Sequence, residues 1–190
     1  MCGRFSVLGD MLSKMVSEEV GISFEAEENN DLRPTQTVAT IISDGSTLRQ
    51  QNTQWGIQPE WAKRLIINAQ AETAAEKKTF RQAMQTHRCL VPCSGWYEWR
   101  DEGGQRKQKY LFSHATNKPL YMAGIWFPSE TPHMVTLTTE PNAIYLPYHN
   151  RMPVLIPADT IKLWLEGELT ALAPLMMPND TTPIAVTVAE

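Results

Sequence analysis

The chain has 190 residues, three cysteines and a net charge of −4, with 42% hydrophobic and 20% charged side chains. That is enough length for one domain with its own core and too apolar a mixture for a disordered chain. No apolar run reaches the roughly 18 residues needed to cross a bilayer, no secretion signal opens the chain, and an odd cysteine count builds no disulfide framework, so a cytoplasmic setting is expected.

A short strand around Gly3–Val7 is followed by a helix from Asp10 to Val20, with Asp10 as N-cap, Leu12, Met15, Val16 and Val20 at helical spacing, and Gly21 as the stop. Glu25–Asp31 reads as an acidic loop ending at Arg33-Pro34. Thr37–Ser43 and Thr47–Trp55 flank Asp44-Gly45, a hairpin signal. Pro59–Lys63 suggests a helical turn, Leu65–Asn68 a short strand and Glu76–Gln85 a helix. Strands follow at Arg88–Cys93, Gly95–Trp99, Lys109–His114, Leu120–Phe127 and Met134–Thr138, with a turn at Asp101–Gln105. A short helix or loop leads from Pro141 to His149. A strand near Met152–Ile156, a helix from Pro157 to Leu165 and a last strand at Pro183–Val188 complete the chain. Without repeats, linkers or strict βαβ alternation, the pattern is a single domain over residues 1–190 of the α+β class, built on curved, mainly antiparallel sheets.

Charge is spread unevenly. Residues 63–118 carry eleven basic and five acidic side chains, whereas residues 1–62 and 119–190 are each acidic by five charges. A local positive groove on an acidic protein is expected, with a solvated surface strip as the plain alternative.

Four segments hold the polar residues of interest. Cys2 follows Met1, and a side chain that small permits removal of the initiator. Cys2 would then carry an α-amine and a thiol on adjacent carbons, a 1,2-aminothiol. A free α-amine titrates near pKa ~8, so part of it is neutral at pH 7 and condenses with an aldehyde. The thiol then closes a thiazolidine ring. Asn68 follows an apolar strand in Ile67-Asn68-Ala69-Gln70-Ala71-Glu72-Thr73, where its plainer role is that of a turn residue. Glu98 sits in Gly95-Trp96-Tyr97-Glu98-Trp99, sharing a strand face with Trp96. A carboxylate among large aromatics is partly desolvated and suited to general acid–base work, or is simply bonded to loop backbone. His149 lies at a loop-to-strand junction in Tyr148-His149-Asn150-Arg151-Met152-Pro153, where it is either catalytic or satisfied by backbone groups. His87, Cys89 and Cys93 are close in sequence, but a four-ligand zinc spacing is missing, and core cysteines are the better reading.

Met-Cys-Gly-Arg at the start, Asn-Ala-x-Ala-Glu-Thr, Gly-Trp-Tyr-Glu-Trp and His-x-Arg-Met-Pro occur here in an order that resembles the SOS-response-associated peptidase (SRAP) family. Trp55-Gly56 before Pro59-x-Trp61, the Arg33-Pro34 loop and Thr138-Thr139 before Glu140-Pro141-Asn142 match as well. The resemblance runs from Cys2 to about Leu165. It implies a β-rich pseudo-barrel with peripheral helices and a protein that binds single-stranded DNA and links covalently to abasic sites. No cofactor, metal or membrane is implied, and a monomer is expected.

By the same resemblance Cys2 is the crosslinking nucleophile, and Asn68, Glu98 and His149 are its supporting catalytic residues. Arg4, Trp55, Lys78, Thr138 and Arg151 become DNA-binding positions, with Trp55 stacking on a base and Arg4 favouring the Cys2 thiolate. Two positions depart from the family pattern: Gln70 replaces a usual Arg, and Asp31 a usual Asn, changes that weaken phosphate binding. Two other activities compete with this one: an N-terminal-nucleophile amidohydrolase or self-processing peptidase, and a non-covalent single-stranded-DNA-binding module.

Overall fold

Two sheets share one continuous core in the computed structural model, which describes residues 2–190. The expected loss of Met1 concerns a residue outside the described ones. Strand β1 is Phe5–Val7, β2 Asn29–Leu32, β3 Thr37–Ser43, β4 Leu48–Trp55, β5 Asn68–Gln70 and β6 Arg88–Cys93. Strand β7 is Gly95–Arg100, β8 Gln108–His114, β9 Leu120–Phe127, β10 His133–Thr139, β11 Met152–Pro153 and β12 Ile184–Ala189. The four α-helices are α1 (Gly9–Val20), α2 (Ala71–Ala74), α3 (Arg81–Thr86) and α4 (Ile161–Glu166).

The smaller sheet runs β12-β8-β7-β1-β2, and the larger β11-β10-β4-β3-β6-β9. Strand β10 also pairs with β9, so β10, β4, β3, β6 and β9 close on themselves as a barrel, with β5 added alongside β10. Pairings are antiparallel except those of β10 with β4 and β5. This is the expected β-rich pseudo-barrel. Gly124 permits the closure at β9: a Cβ there would lie 2.9 Å from Cys89 Sγ and 3.1 Å from Val135 O.

Local chemistry explains the elements that position the site. The β3–β4 hairpin turns where Asp44 Oδ1 accepts the Ser46 and Thr47 N–H groups and Gly45 takes φ +92°. Helix α1 buries Leu12 and Val16 against the barrel. Its Ser13 and Ser17 hydroxyls take the backbone N–H groups of Ala26 and Phe24, tying down the acidic segment that follows. Arg88 is buried, and its guanidinium donates to Met84 and Gln85 O in the last turn of α3 and to Trp164 and Gly167 O at the end of α4. One cation thus satisfies the orphan carbonyls of two helix C-termini.

Several expected boundaries move. Asp10 sits within the first turn of α1, whose N-cap is Leu8 without a side-chain bond. Residues 29–32, expected as loop, form β2 because they pair with β1. The short strand expected at 65–68 is β5, starting at Asn68. Of the helix expected over 76–85 only the second half forms, as α3 after a turn, while α2 precedes that range; the one expected over 157–165 is a 3-10 turn at Ala158–Thr160 followed by α4. No helix among the described residues is long and apolar enough to cross a membrane.

Candidate functional site

Cys2 lies just ahead of β1 and is fully buried. Antiparallel pairing of β1 with β7 sets Phe5 against Trp96, and the Tyr97 N–H donates to Arg4 O at 3.0 Å. That register carries the chain start back alongside Glu98. The Cys2 thiol points at Met122 Sδ on β9, 3.9 Å away. Burial first, then the Glu98 charge and Cys93, push this thiol well above its ordinary value, over the opposing pull of the Arg4 backbone N–H. The resting thiol is therefore neutral. Arg4 does pull toward the thiolate, through its backbone N–H, but burial outweighs it.

Glu98 is buried on the face of β7 that also holds Trp96. Trp96 stacks on Phe112 with ring centroids 5.2 Å apart, and Tyr110 stands opposite Glu98 on β8. One group went unnoticed in the sequence. Tyr145, 1% exposed, brings its hydroxyl to Trp96 Nε1 at 3.3 Å and faces both Glu98 and Cys2. Nothing in the pattern of residues 141–149 marks it, because it sits in a turn with no regular period.

Asn68 opens β5, opposite Thr136 of β10. The Thr136 hydroxyl donates to Asn68 Oδ1, which orients the amide. Asn68 Nδ2 is buried and finds no acceptor among the described residues. A desolvated donor of this kind costs roughly 1–3 kcal/mol and fits a position kept for a ligand atom.

His149 ends the turn that starts at Asn142. Its Nδ1 faces the Arg151 backbone, 3.0 Å from the N–H and 3.2 Å from the carbonyl oxygen. Next to it, Tyr148 packs edge-on against Tyr110 and Phe112 and lies under the Arg100 guanidinium, 4.3 Å away.

Arginines around the site are held by carboxylates. Arg151 pairs with both Glu72 oxygens at 3.0 and 2.7 Å and donates to the Thr138 carbonyl at 2.8 Å. Arg4 Nη1 is 3.1 Å from both Asp31 oxygens, and its guanidinium lies over the Trp99 ring at 5.3 Å. Arg33 donates from Nε to the same carboxylate at 2.9 Å and closes an ion pair with it through Nη2. Partial burial works against the Asp31 charge, but the hydrogen bonds from Arg33 and Arg4 outweigh it and hold the carboxyl below its ordinary value.

The structure thus brings Cys2, Glu98 and Tyr145 together; Asn68 and Arg151 are held by Thr136 and Thr138 of β10, and His149 follows Tyr148, whose ring packs on Tyr110 and Phe112 of β8. Two expected DNA contacts need correction. Trp55 is wholly buried, packs on Phe5 at 5.1 Å and donates its indole N–H to Ile67 O, so it has no face for a base. Thr138 is buried too, and its role is to hold Arg151. The half-exposed aromatic beside a cation is Trp99 instead. Lys78 is exposed in the turn before α3 and makes no hydrogen bond or ion pair with this group among the described residues. Cys89 and Cys93 are buried core thiols, raised by burial, Cys93 to about 12. Among the described residues no cluster of three or more His, Cys, Asp or Glu is placed to hold a metal.

Residues 1–189 match the family described as SOS response associated peptidase (SRAP). The chain is 32% identical to "Abasic site processing protein YoaM" of Bacillus subtilis (strain 168), across 95% of this chain and 87% of that protein. It is 26% identical to "Abasic site processing protein YedK" of Escherichia coli (strain K12), across 90% and 82%. A solved structure from Bordetella bronchiseptica superposes over all of both chains with a TM-score of 0.86 at 22% identity, a likeness of fold.

Proposed function

The chain belongs to the SOS response associated peptidase (SRAP) family, and from that premise we propose that it processes abasic sites in single-stranded DNA by covalent capture on Cys2. The observation that carries the proposal is the Cys2 thiol buried beside the Glu98 carboxylate, within a shell of Tyr145, Met122 and Cys93. The names of relatives such as YoaM and YedK give the substrate class.

An abasic site opens to an aldehyde at C1′. Once Met1 is removed, the Cys2 amine attacks that carbon, water leaves and an imine forms. The thiol sulfur then bonds to C1′ while its proton passes to nitrogen, closing a thiazolidine with net loss of one water. Glu98 takes up and returns protons during ring opening and imine formation, typically worth about 10²–10⁴-fold. His149, its ring oriented by the Arg151 backbone, stabilises the sugar oxygen as it is released. Asn68 Nδ2 supplies a buried donor that holds the chain start or the sugar. Both bond-forming groups belong to one residue, so proximity contributes strongly.

Trp99 and the arginines Arg4 and Arg151 are the DNA contacts of this reading, Arg100 over Tyr148 extending them toward His149. The test is a boiled, denaturing gel of protein mixed with single-stranded DNA carrying one abasic site. A heat-stable shifted band is expected, lost with Cys2→Ala and with intact DNA. No band from protein confirmed to lack Met1 refutes covalent capture.

A further inference from the structure

We propose that Tyr145 is a positioning residue for Glu98, its phenol aimed by the Trp96 indole so that the hydroxyl holds the carboxylate beside Cys2. The kinetic consequence rests on the abasic-site reading, whereas the contact itself does not.

The ring cannot wander. It lies edge-on to Phe112 with centroids 4.7 Å apart and tilted against Trp96 at 5.8 Å. The backbone is fixed as well, since the Tyr145 N–H donates to Asn142 Oδ1 at 2.9 Å. Its oxygen accepts the Trp96 N–H, so a buried phenol that must satisfy both roles has its own proton left to donate. The groups facing that proton are Glu98 and Cys2. A carboxylate is by far the better acceptor, and hydrogen bonds to charged groups are the stronger class. Burial first, then the Glu98 charge, push the phenol far above its ordinary value, so it remains a donor at any pH at which the protein is studied. The other titratable groups around the pair are Tyr110 opposite Glu98 on β8, Cys2 at the chain start, Cys93 at the end of β6 next to Cys2, and, on the turn of Tyr145 itself, Tyr148 and His149, whose N–H groups donate to Tyr145 O.

A donor aimed at a carboxylate favours its charged form. Removing it leaves the carboxylate less fixed beside Cys2. Tyr145→Phe deletes one oxygen and keeps the ring, so the packing survives. Single-turnover crosslinking to abasic single-stranded DNA is followed against pH in both proteins, with Kd for intact single-stranded DNA and Tm as controls. The variant is expected to react about tenfold more slowly, and its acidic limb to move up by about one pH unit, the value of one hydrogen bond to a charged group. Its Kd stays the same. A lowered Tm with an unmoved pH profile overturns the proposal, because that is what a packing role alone produces. Carboxyl-carbon NMR of Glu98 without DNA keeps the two ideas separate. Should the wild type form no adduct, the abasic-site reading fails, yet the Glu98 carboxyl-carbon resonance at neutral pH must still shift in Tyr145→Phe; an unmoved resonance overturns the Tyr145 assignment.

Discussion

Asp31→Asn should tighten binding to single-stranded DNA. The carboxylate engages Arg4 and Arg33 together, and a phosphate that uses either guanidinium must displace it. The amide keeps the shape and removes the charge. Arg4 and Asp31 side chains are 34% and 31% exposed, so each pair is screened and worth about 0.2–1 kcal/mol. Releasing two such pairs amounts to about 0.4–2 kcal/mol, or about two- to thirtyfold in Kd. One added phosphate contact on a single strand steepens the plot of log K against log salt by about 0.7. Fluorescence anisotropy with an intact oligonucleotide, titrated at several salt concentrations, reads both quantities without the covalent step. Unchanged or weaker binding, or an unchanged slope, would refute the reasoning. The same carboxyl is held below its ordinary value, so its contribution to stability is present at neutral pH and fades as pH falls through the carboxylate range. The variant should therefore lose less stability on acidification than the wild type.

Glu98→Gln should slow crosslinking by about 10²–10⁴-fold with little change in binding to intact DNA; equal loss of both would sink its acid–base role. Arg88→Met should cost about 3–4 kcal/mol in urea unfolding, because buried carbonyls at the ends of α3 and α4 lose their donor. A cost below about 1 kcal/mol would show that water replaces the guanidinium. Gly124→Ala should destabilise by about 1–3 kcal/mol through its close approach to Cys89 Sγ and Val135 O, measured the same way. An unaffected Tm would mean that the barrel closes with more slack at β9 than its contacts imply.

The strands were the legible part of the fold. Runs such as Leu120–Phe127 and Thr37–Ser43 have the apolar, β-branched and aromatic residues that fill a closed barrel, and they match the observed bounds. Asn29–Leu32 was illegible because its composition is that of a loop; pairing with β1 makes it a strand. Helix ends were set by tertiary contacts, the Arg88 guanidinium among them, which no local pattern reports. At the site, Cys2 and Glu98 could be picked out by chemical type, and the structure places them together. Tyr145 could not, since its role depends on a turn folding it over Trp96. Trp55 misled for a related reason. Tryptophan suits stacking on a base and filling a core equally well, and only the position of β4 decides between them.

The most direct test of covalent capture is the intact mass of the species formed with abasic single-stranded DNA, without reductant, followed by mapping of the modified peptide. The account predicts protein lacking Met1 plus oligonucleotide minus one water, with the modification on Cys2. An adduct that retains Met1, or one that maps to a lysine and needs borohydride to survive, would contradict it.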